Sequence, residues 1–331
     1  MELSPVMDTY WRFADERQRV YFKRLQDSIG PWTEDPIIDR YRFTNAYRAA
    51  DRVSQYLIRH IQYDNERSQS VEELFFRTLA FKIFNKIETW EYLERVLGPL
   101  TWAWTALDDI AGVLDDMMAA GQSVYSAAYI MPAPKLGMVR KHANHLALLR
   151  LMMDDGLPCK IADARSLREV FDLLVRYPGL GRFLAFQYAI DLNYSAMLDF
   201  DEAGFVVAGP GALDGISKCF YDTDGLSAEE LIYMVTESQQ SAFARLGLAF
   251  PGLGHRPLQP IDCQNLFCEI SKYARVAHPE VAGVSGRIRI KQQYRASLRK
   301  ADPPFFPPRW NVELPIAQNQ ERSGQQLSLA W

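Results

Sequence analysis

The sequence predicts an all-α protein. Apolar residues recur at three- and four-residue spacing through most of the chain, alternating strand patterns are short and few, and no repeat of fixed period occurs. No Pro/Gly/Ser linker divides the chain. The reading is an N-terminal helical extension at 1–37, one helical domain with room for two lobes at 38–300, and a Pro-rich, polar C-terminal tail at 301–331.

Helices are expected near 3–28, 44–61, 71–95, 102–119, 138–153, 166–176, 181–195, 227–245, 261–277 and 286–300. Segment 44–61 begins at Thr44, a plausible N-cap, with Phe43, Tyr47, Ala50, Val53 and Leu57 in helical register. Segment 71–95 repeats the pattern through Leu74, Leu79, Ile83, Ile87 and Trp90. A further helix start follows Gly209–Pro210–Gly211, and DPPFFPP at 302–308 ends the helical pattern.

Composition narrows the function classes. With 48% hydrophobic and 24% charged residues the chain is ordinary globular protein, which argues against wholesale disorder. The longest apolar runs fall short of the ~18 residues a membrane span needs, and the N-terminus has no apolar signal region. No membrane association is expected. Cys159, Cys219, Cys263 and Cys268 fit a reducing compartment, the cytoplasm of a bacterium or of a phage-infected host. A net charge of −4 excludes a globally basic nucleic-acid binder and leaves room for a local basic face.

Several chemistries are missing from these residues. There is no GxxxxGK[ST], no HExxH and no GxSxG. His142 and His145 lie three apart on a helix without a third ligand in suggestive spacing, so both read as solvated polar residues. Asp108, Asp109, Asp115 and Asp116 read as a solvated acidic face, with polyamine binding as a remote option. No metal and no cofactor are expected.

Polar ridges carry the remaining information. Arg48, Arg52, Gln55 and Arg59 recur at four, three and four residues, suiting either a solvated face or successive phosphates. Lys82, Asn85, Lys86 and Thr89 make a second ridge inside an aromatic helix, where Lys82 either snorkels or faces a pocket. In YPGLGRFLAFQYAI, Gly179 and Gly181 turn directly into a helix, as helix-hairpin-helix DNA-binding elements do and as simple tight turns also do. That helix carries Gln187, Asp191 and Tyr194, and an aspartate inside AIDLNYS needs a partner or a job. AGPGALDGISKCF places Gly209, Gly211 and Ala212 before a helix bearing Lys218, a pattern that suits a phosphate or merely a glycine-rich loop. Asp262 is a candidate N-cap for a helix with the polar stripe Asn265, Glu269 and Lys272, where Glu269 and Lys272 form either an intrahelical ion pair or an acid/base pair. RIRIKQQYRASLRK at 287–300 holds six basic residues and no acid, the clearest basic patch of the chain.

RFTNAYRAADRVSQYLI, FFRTLAFKIFNKIETWE, YSAAYIM, FLAFQYAIDLNYS, AGPGALDGISKCF, NLFCEISKYARV and RIKQQY, in this order, resemble one family over roughly residues 38–295. It is the helical domain attached to phage five-hydroxymethyluracil DNA kinases, with its stand-alone relatives, the alpha-glutamyl/putrescinyl thymine pyrophosphorylases or amino acid:DNA transferases. The resemblance implies a fold related to helix-hairpin-helix DNA glycosylases and a role in thymine hypermodification. An upstream kinase activates hydroxymethyluracil in double-stranded DNA, and the transferase displaces the phosphate or pyrophosphate with an amine, an amino acid or a polyamine. Without a Walker motif, this chain reads as the transferase half. The implied roles are a proton acceptor among Asp191, Asp262 and Glu269, and leaving-group contacts from residues 209–212, Lys218, Lys82 and Lys86. DNA contacts are implied for Arg48, Arg52, Arg59, Gly179, Gly181, Arg289, Lys291 and Arg295. A glycosylase-like enzyme and a non-catalytic DNA-binding module are the competing readings.

Overall fold

The computed structural model describes residues 1–27, 29–127, 131–295 and 302–314. Among them are thirteen α-helices, in order α1 (Pro5–Gln26), α2 (Pro36–Arg40), α3 (Arg52–Tyr56), α4 (Val71–Phe84), α5 (Ile87–Leu97), α6 (Leu107–Ala119), α7 (Lys141–Asp154), α8 (Leu157–Ala162), α9 (Leu167–Leu174), α10 (Arg182–Asn193), α11 (Pro210–Cys219), α12 (Ala228–Arg245) and α13 (Pro260–Ala277). The strands among the described residues, β1 (Glu2–Leu3) and β2 (Phe220–Asp222), pair antiparallel. The protein is all-α. The chain forms two compact units, Met1–Asp51 with Val206–Trp331, and Arg52–Phe205.

In the first unit α13 is the central helix and packs against α1, α2, α11 and α12. Ser4 caps α1 by accepting the Val6 amide at 3.1 Å, and Tyr10, Trp11, Phe13 and Ala14 bury one face. Residues 1–37, expected as an extension, thus supply α1 to the core of this unit. The α11–α13 crossing is close. A Cβ at Gly211 would lie 2.9 Å from Cys268 Sγ, and one at Gly215 would overlap the Phe267 carbonyl. Glycine is required at Gly215, where backbone meets backbone, while at Gly211 the Cys268 side chain fills the space a Cβ would take.

In the second unit α4 packs against α7, α8 and α10, and α9 against α10. The helix expected over 71–95 is two helices. Asn85 takes a left-handed conformation at φ +50°, which asparagine tolerates, and it separates α4 from α5. Gly179 at φ +83° and Gly181 as N-cap turn the chain from α9 into α10. The turn is glycine-dependent, since a Cβ at Gly179 would also press on Pro134 at 3.2 Å.

Two expected helices are corrected. Thr44 caps nothing. Residues 42–47 are irregular, Arg48–Ala50 is a 3₁₀ turn, and helix starts only at Arg52, passing into a π turn at Leu57–Gln62. The Arg48–Arg52–Arg59 ridge is therefore not one helix face. Residues 286–295 are not helical either. Their Arg-Ile-Arg-Ile-Lys run alternates with period two, and Gln293 bridges Tyr41. The remainder of that expected helix, 296–300, lies outside the described residues.

Candidate functional site

Each unit holds a polar cluster that contains sequence-predicted site residues. In the first, the irregular segment 42–51 lies along the polar stripe of α13. Backbone groups outside a helical ladder need side-chain partners when covered, and α1 and α13 provide them. Glu269 Oε2 accepts the Thr44 amide at 3.1 Å, Asp51 Oδ1 accepts the Asn45 amide at 2.7 Å, and Asn265 Nδ2 donates to Thr44 Oγ1 at 2.9 Å. From α1, Arg17 Nε donates to the Thr44 carbonyl at 3.0 Å and its Nη2 to Asn45 Oδ1 at 2.9 Å. Lys272 Nζ lies 2.6 Å from Glu269 Oε2, so this expected pair is formed, at the edge of the cluster.

Asp262 is not the N-cap of α13. Gln259 is, and Asp262 closes the capping box from the third helical position, accepting the Gln259 amide at 3.0 Å through Oδ2. Its Oδ1 accepts the Arg48 amide at 2.8 Å. Burial raises the Asp262 carboxyl despite these two amides. Arg48 is itself buried rather than set on a solvated face.

Asp51 is the functional candidate that sequence reasoning passed over. Burial pushes its carboxyl up to about 7 against the Asn45 amide; Glu269 adds to the rise, and Arg17 and Arg48 oppose it. Burial also pulls Arg17 down to about 10, with Asp51 as its main counterweight. Burial and charged neighbours of this kind are what shift carboxyls at functional sites, and structural ion-pair networks produce the same shift. The only signal in the sequence was an acid three residues after Arg48, which reads as a simple ion-pair partner.

In the second unit Lys82 Nζ lies 3.3 Å from Asp191 Oδ2, both side chains buried. Lys82 also donates to Asn85 Oδ1 at 2.8 Å, and Gln62 Nε2 donates to the Asp191 carbonyl at 2.7 Å. Lys82 thus faces an interior partner instead of snorkelling, and that partner answers the expectation raised by the aspartate in AIDLNYS. In α5, burial would raise the Glu88 carboxyl, but a backbone amide hydrogen bond together with Arg52 and Lys86 holds it below its ordinary range. Lys86 is the N-cap of α5 and donates to the Ser123 carbonyl. Arg59 is half-buried in the π turn.

The expected phosphate nest is corrected as well. Gly209 caps α11 and Gly211 and Ala212 lie inside its first turn, where Cys268 sits against them and takes a hydrogen bond from the Ala212 backbone. Lys218 does not face that end. It is buried, and its Nζ donates to the Ser271 carbonyl at 3.0 Å and approaches Asp214 at 4.0 Å. The lysine is two turns along from residue 211, so it follows the α11–α13 seam inward.

His142 and His145 are buried, not solvated. His142 Nε2 meets Asp115 at 2.9 Å; His145 bonds Tyr125 through Nδ1 at 2.7 Å and the Pro132 carbonyl through Nε2 at 3.0 Å. Asp115 also pairs with Arg140 at 2.7 Å, so that part of the acidic face is neutralised. Among the described residues no group of three or more His, Cys, Asp or Glu is arranged to hold a metal ion, and no helix is long and apolar enough to cross a membrane.

No solved structure matches the chain. Residues 4–283 match the family described as "5-hmdU DNA kinase, helical domain". A "5-hmdU DNA kinase" of Bacillus phage SP10 is 26% identical over 286 residues, covering 80% of this chain and 44% of that protein. The chain thus spans less than half the length of this relative. With the match running through both units and both polar clusters, the chain belongs to the family of 5-hmdU DNA kinase helical domains.

Proposed function

We propose that the chain acts in thymine hypermodification of DNA, as the transferase that replaces the phosphate or pyrophosphate of activated 5-hydroxymethyluracil with an amine. The match of residues 4–283 to the kinase-associated helical family supports this reading. The kinase name of the phage relative supports modified DNA as the substrate.

In the proposed reaction the target base is extruded from the duplex. The amine nitrogen bonds to the exocyclic methylene carbon, the carbon–oxygen bond to the phosphate breaks, and the surplus ammonium proton passes to a carboxylate. Asp51 suits this last role best because it exchanges a proton near neutral pH. Glu269 stands beside it electrostatically, and Asp262 is committed to two amides. Lys272, at the edge of the same cluster, is suited to the departing phosphate. Asp191, with Lys82 beside it and Lys86 at the start of α5, is the alternative in the second unit. DNA contacts are assigned to the exposed Arg289, Lys291 and Arg295 and to the Gly179–Gly181 turn.

The test is mass spectrometry of nucleosides from phosphorylated hydroxymethyluracil DNA incubated with the protein and a mixture of amines. An aminated thymidine is expected, and Asp51→Asn should abolish most of the rate at pH 7 with partial recovery at high pH, where the amine is already neutral. A glycosylase-like reading draws on the Gly179–Gly181 turn between α9 and α10. In the same assay it would release free base and leave abasic sites, with no aminated product.

A further inference from the structure

We infer that α11 and α13 carry a buried charge lock, centred on Asp214, that positions the basic segment 287–295 for contact with a nucleic-acid backbone. The partner in this inference rests on the DNA reading proposed above; the lock itself does not.

The lock holds the start of the segment. Asp214 Oδ1 accepts the Ser285 amide at 2.7 Å, and Oδ2 accepts Ser271 Oγ. Ser217 Oγ accepts the Val284 amide at 3.1 Å. Gly283 lies so close that a Cβ there would overlap the side chains of Asp214 and Lys218. Arg275 reaches from α13 to both parts. Its Nη2 donates to Ser271 Oγ at 3.2 Å and stands 3.9 Å from Asp214, while its Nη1 donates to the Arg289 carbonyl at 3.1 Å.

The far end is held as well. The Arg42 amide donates to the Gln292 carbonyl at 3.1 Å and the Tyr294 amide to the Arg40 carbonyl at 3.0 Å. Arg24 lies over the rings of Trp32 and Tyr294 and donates to the Tyr294 hydroxyl at 2.9 Å.

Between these anchors Arg287, Arg289 and Lys291 are exposed, and no acid occurs from 285 to 295. The segment has no helix to hold it. Without anchors its cations would have to be ordered at the moment of binding, which weakens association. The charge balance of the lock fits this role. Burial alone would raise Asp214, but Ser271, Ser285 and Lys218 together hold it below its ordinary range. Removing its charge takes the nearest carboxylate from the buried Lys218 and Arg275, so the first anchor of the segment leans on Asp214.

The experiment uses the full chain and two readouts: hydrogen exchange at the amides of Val284, Ser285 and Tyr294, and affinity for a DNA duplex against salt. Gly283→Ala places its methyl group in the lock without altering a helix or a charge. We expect at least about tenfold faster exchange at these amides, an affinity about three- to tenfold lower, and an unchanged salt slope. Asp214→Asn should act in the same direction if it folds. Arg289→Ala, Lys291→Ala and Arg295→Ala combined should instead flatten the slope, by up to about 0.9 for each phosphate left without a cation. Adding Gly283→Ala to that triple variant should lower affinity by less than it does in the parent, since only Arg287 is left for the lock to present. Unchanged exchange in Gly283→Ala overturns the lock; faster exchange with unchanged affinity overturns its role at the DNA. If the triple variant itself binds DNA like the parent, the DNA assignment of this segment has failed, whatever the lock variants show.

Discussion

Lys82 on α4 and Asp191 on α10 form an ion pair at 3.3 Å with 4% and 0% of their side chains exposed. Two charges taken from water repay their desolvation only while they stay together, and removing one partner of such a pair costs about 3–5 kcal/mol. Asp191→Ala should destabilise the second unit by that amount in denaturant unfolding. Lys82→Met combined with Asp191→Leu should recover most of it. A double variant as unstable as the single one would mean that other partners, not the pair, hold these side chains.

The glycines of α11 and α6 should respond with opposite signs. Gly215→Ala drives a methyl group into the Phe267 carbonyl, so α11 and α13 must move apart at a cost of at least about 1–3 kcal/mol. Gly112 lies exposed inside α6 with nothing within 4 Å of a Cβ. Gly112→Ala should stabilise by about 0.5–1 kcal/mol, because alanine loses less backbone entropy in a helix. Thermal midpoints moving in the same direction would contradict the close α11–α13 crossing.

Asp262 ends two amides at once, that of Gln259 and the buried one of Arg48. Asp262→Ala should cost about 1–3 kcal/mol, the loss of a cap combined with an unsatisfied buried donor. Exchange should accelerate at the Arg48 amide as well as at the first turn of α13. Acceleration confined to α13 would show that the 3₁₀ turn does not depend on this carboxylate.

The two units should show opposite local pH dependence. Asp51 has a folded value of about 7 against an ordinary 3.8, so the folded state binds the extra proton between those values. Its contribution to stability is fully present below pH 3.8 and is lost as pH rises through about 7. The groups facing it are Glu269 from α13, Arg17 and Tyr21 from α1, and Arg48 from its own segment. His145 has the reverse sign. Burial lowers it from 6.5 to about 4, so its contribution is present above pH 6.5 and lost as pH falls through about 4. Acidification from about pH 7 to about pH 5 should therefore raise the exchange protection factor at the Asn45 amide and lower the protection factors around α7. The same direction in both places would remove one of the two assignments.

Helix content and the polar stripe of α13 were legible in the sequence, because periodicity and side-chain type act over a few neighbouring residues. The same local information ran α4 and α5 together, put Arg48, Arg52 and Arg59 on one ridge, and placed residues 286–295 in a helix. The α4–α5 break turns on one left-handed asparagine, which periodicity does not register. Tertiary contacts overruled the other two. Segment 42–51 exchanges helical bonds for Glu269, Asp51, Asn265 and Arg17, and segment 287–295 is held by Arg275 and by the backbone of Arg40 and Arg42. The glycines of 209–215 read as an anion nest in sequence because a nest and a close helix crossing call for the same residue. Only the approach of Cys268 and Phe267 from α13 distinguishes them. Asp51 stayed hidden for a related reason: its proton affinity comes from burial beside Glu269, a residue far along the chain, and no local pattern carries that distance.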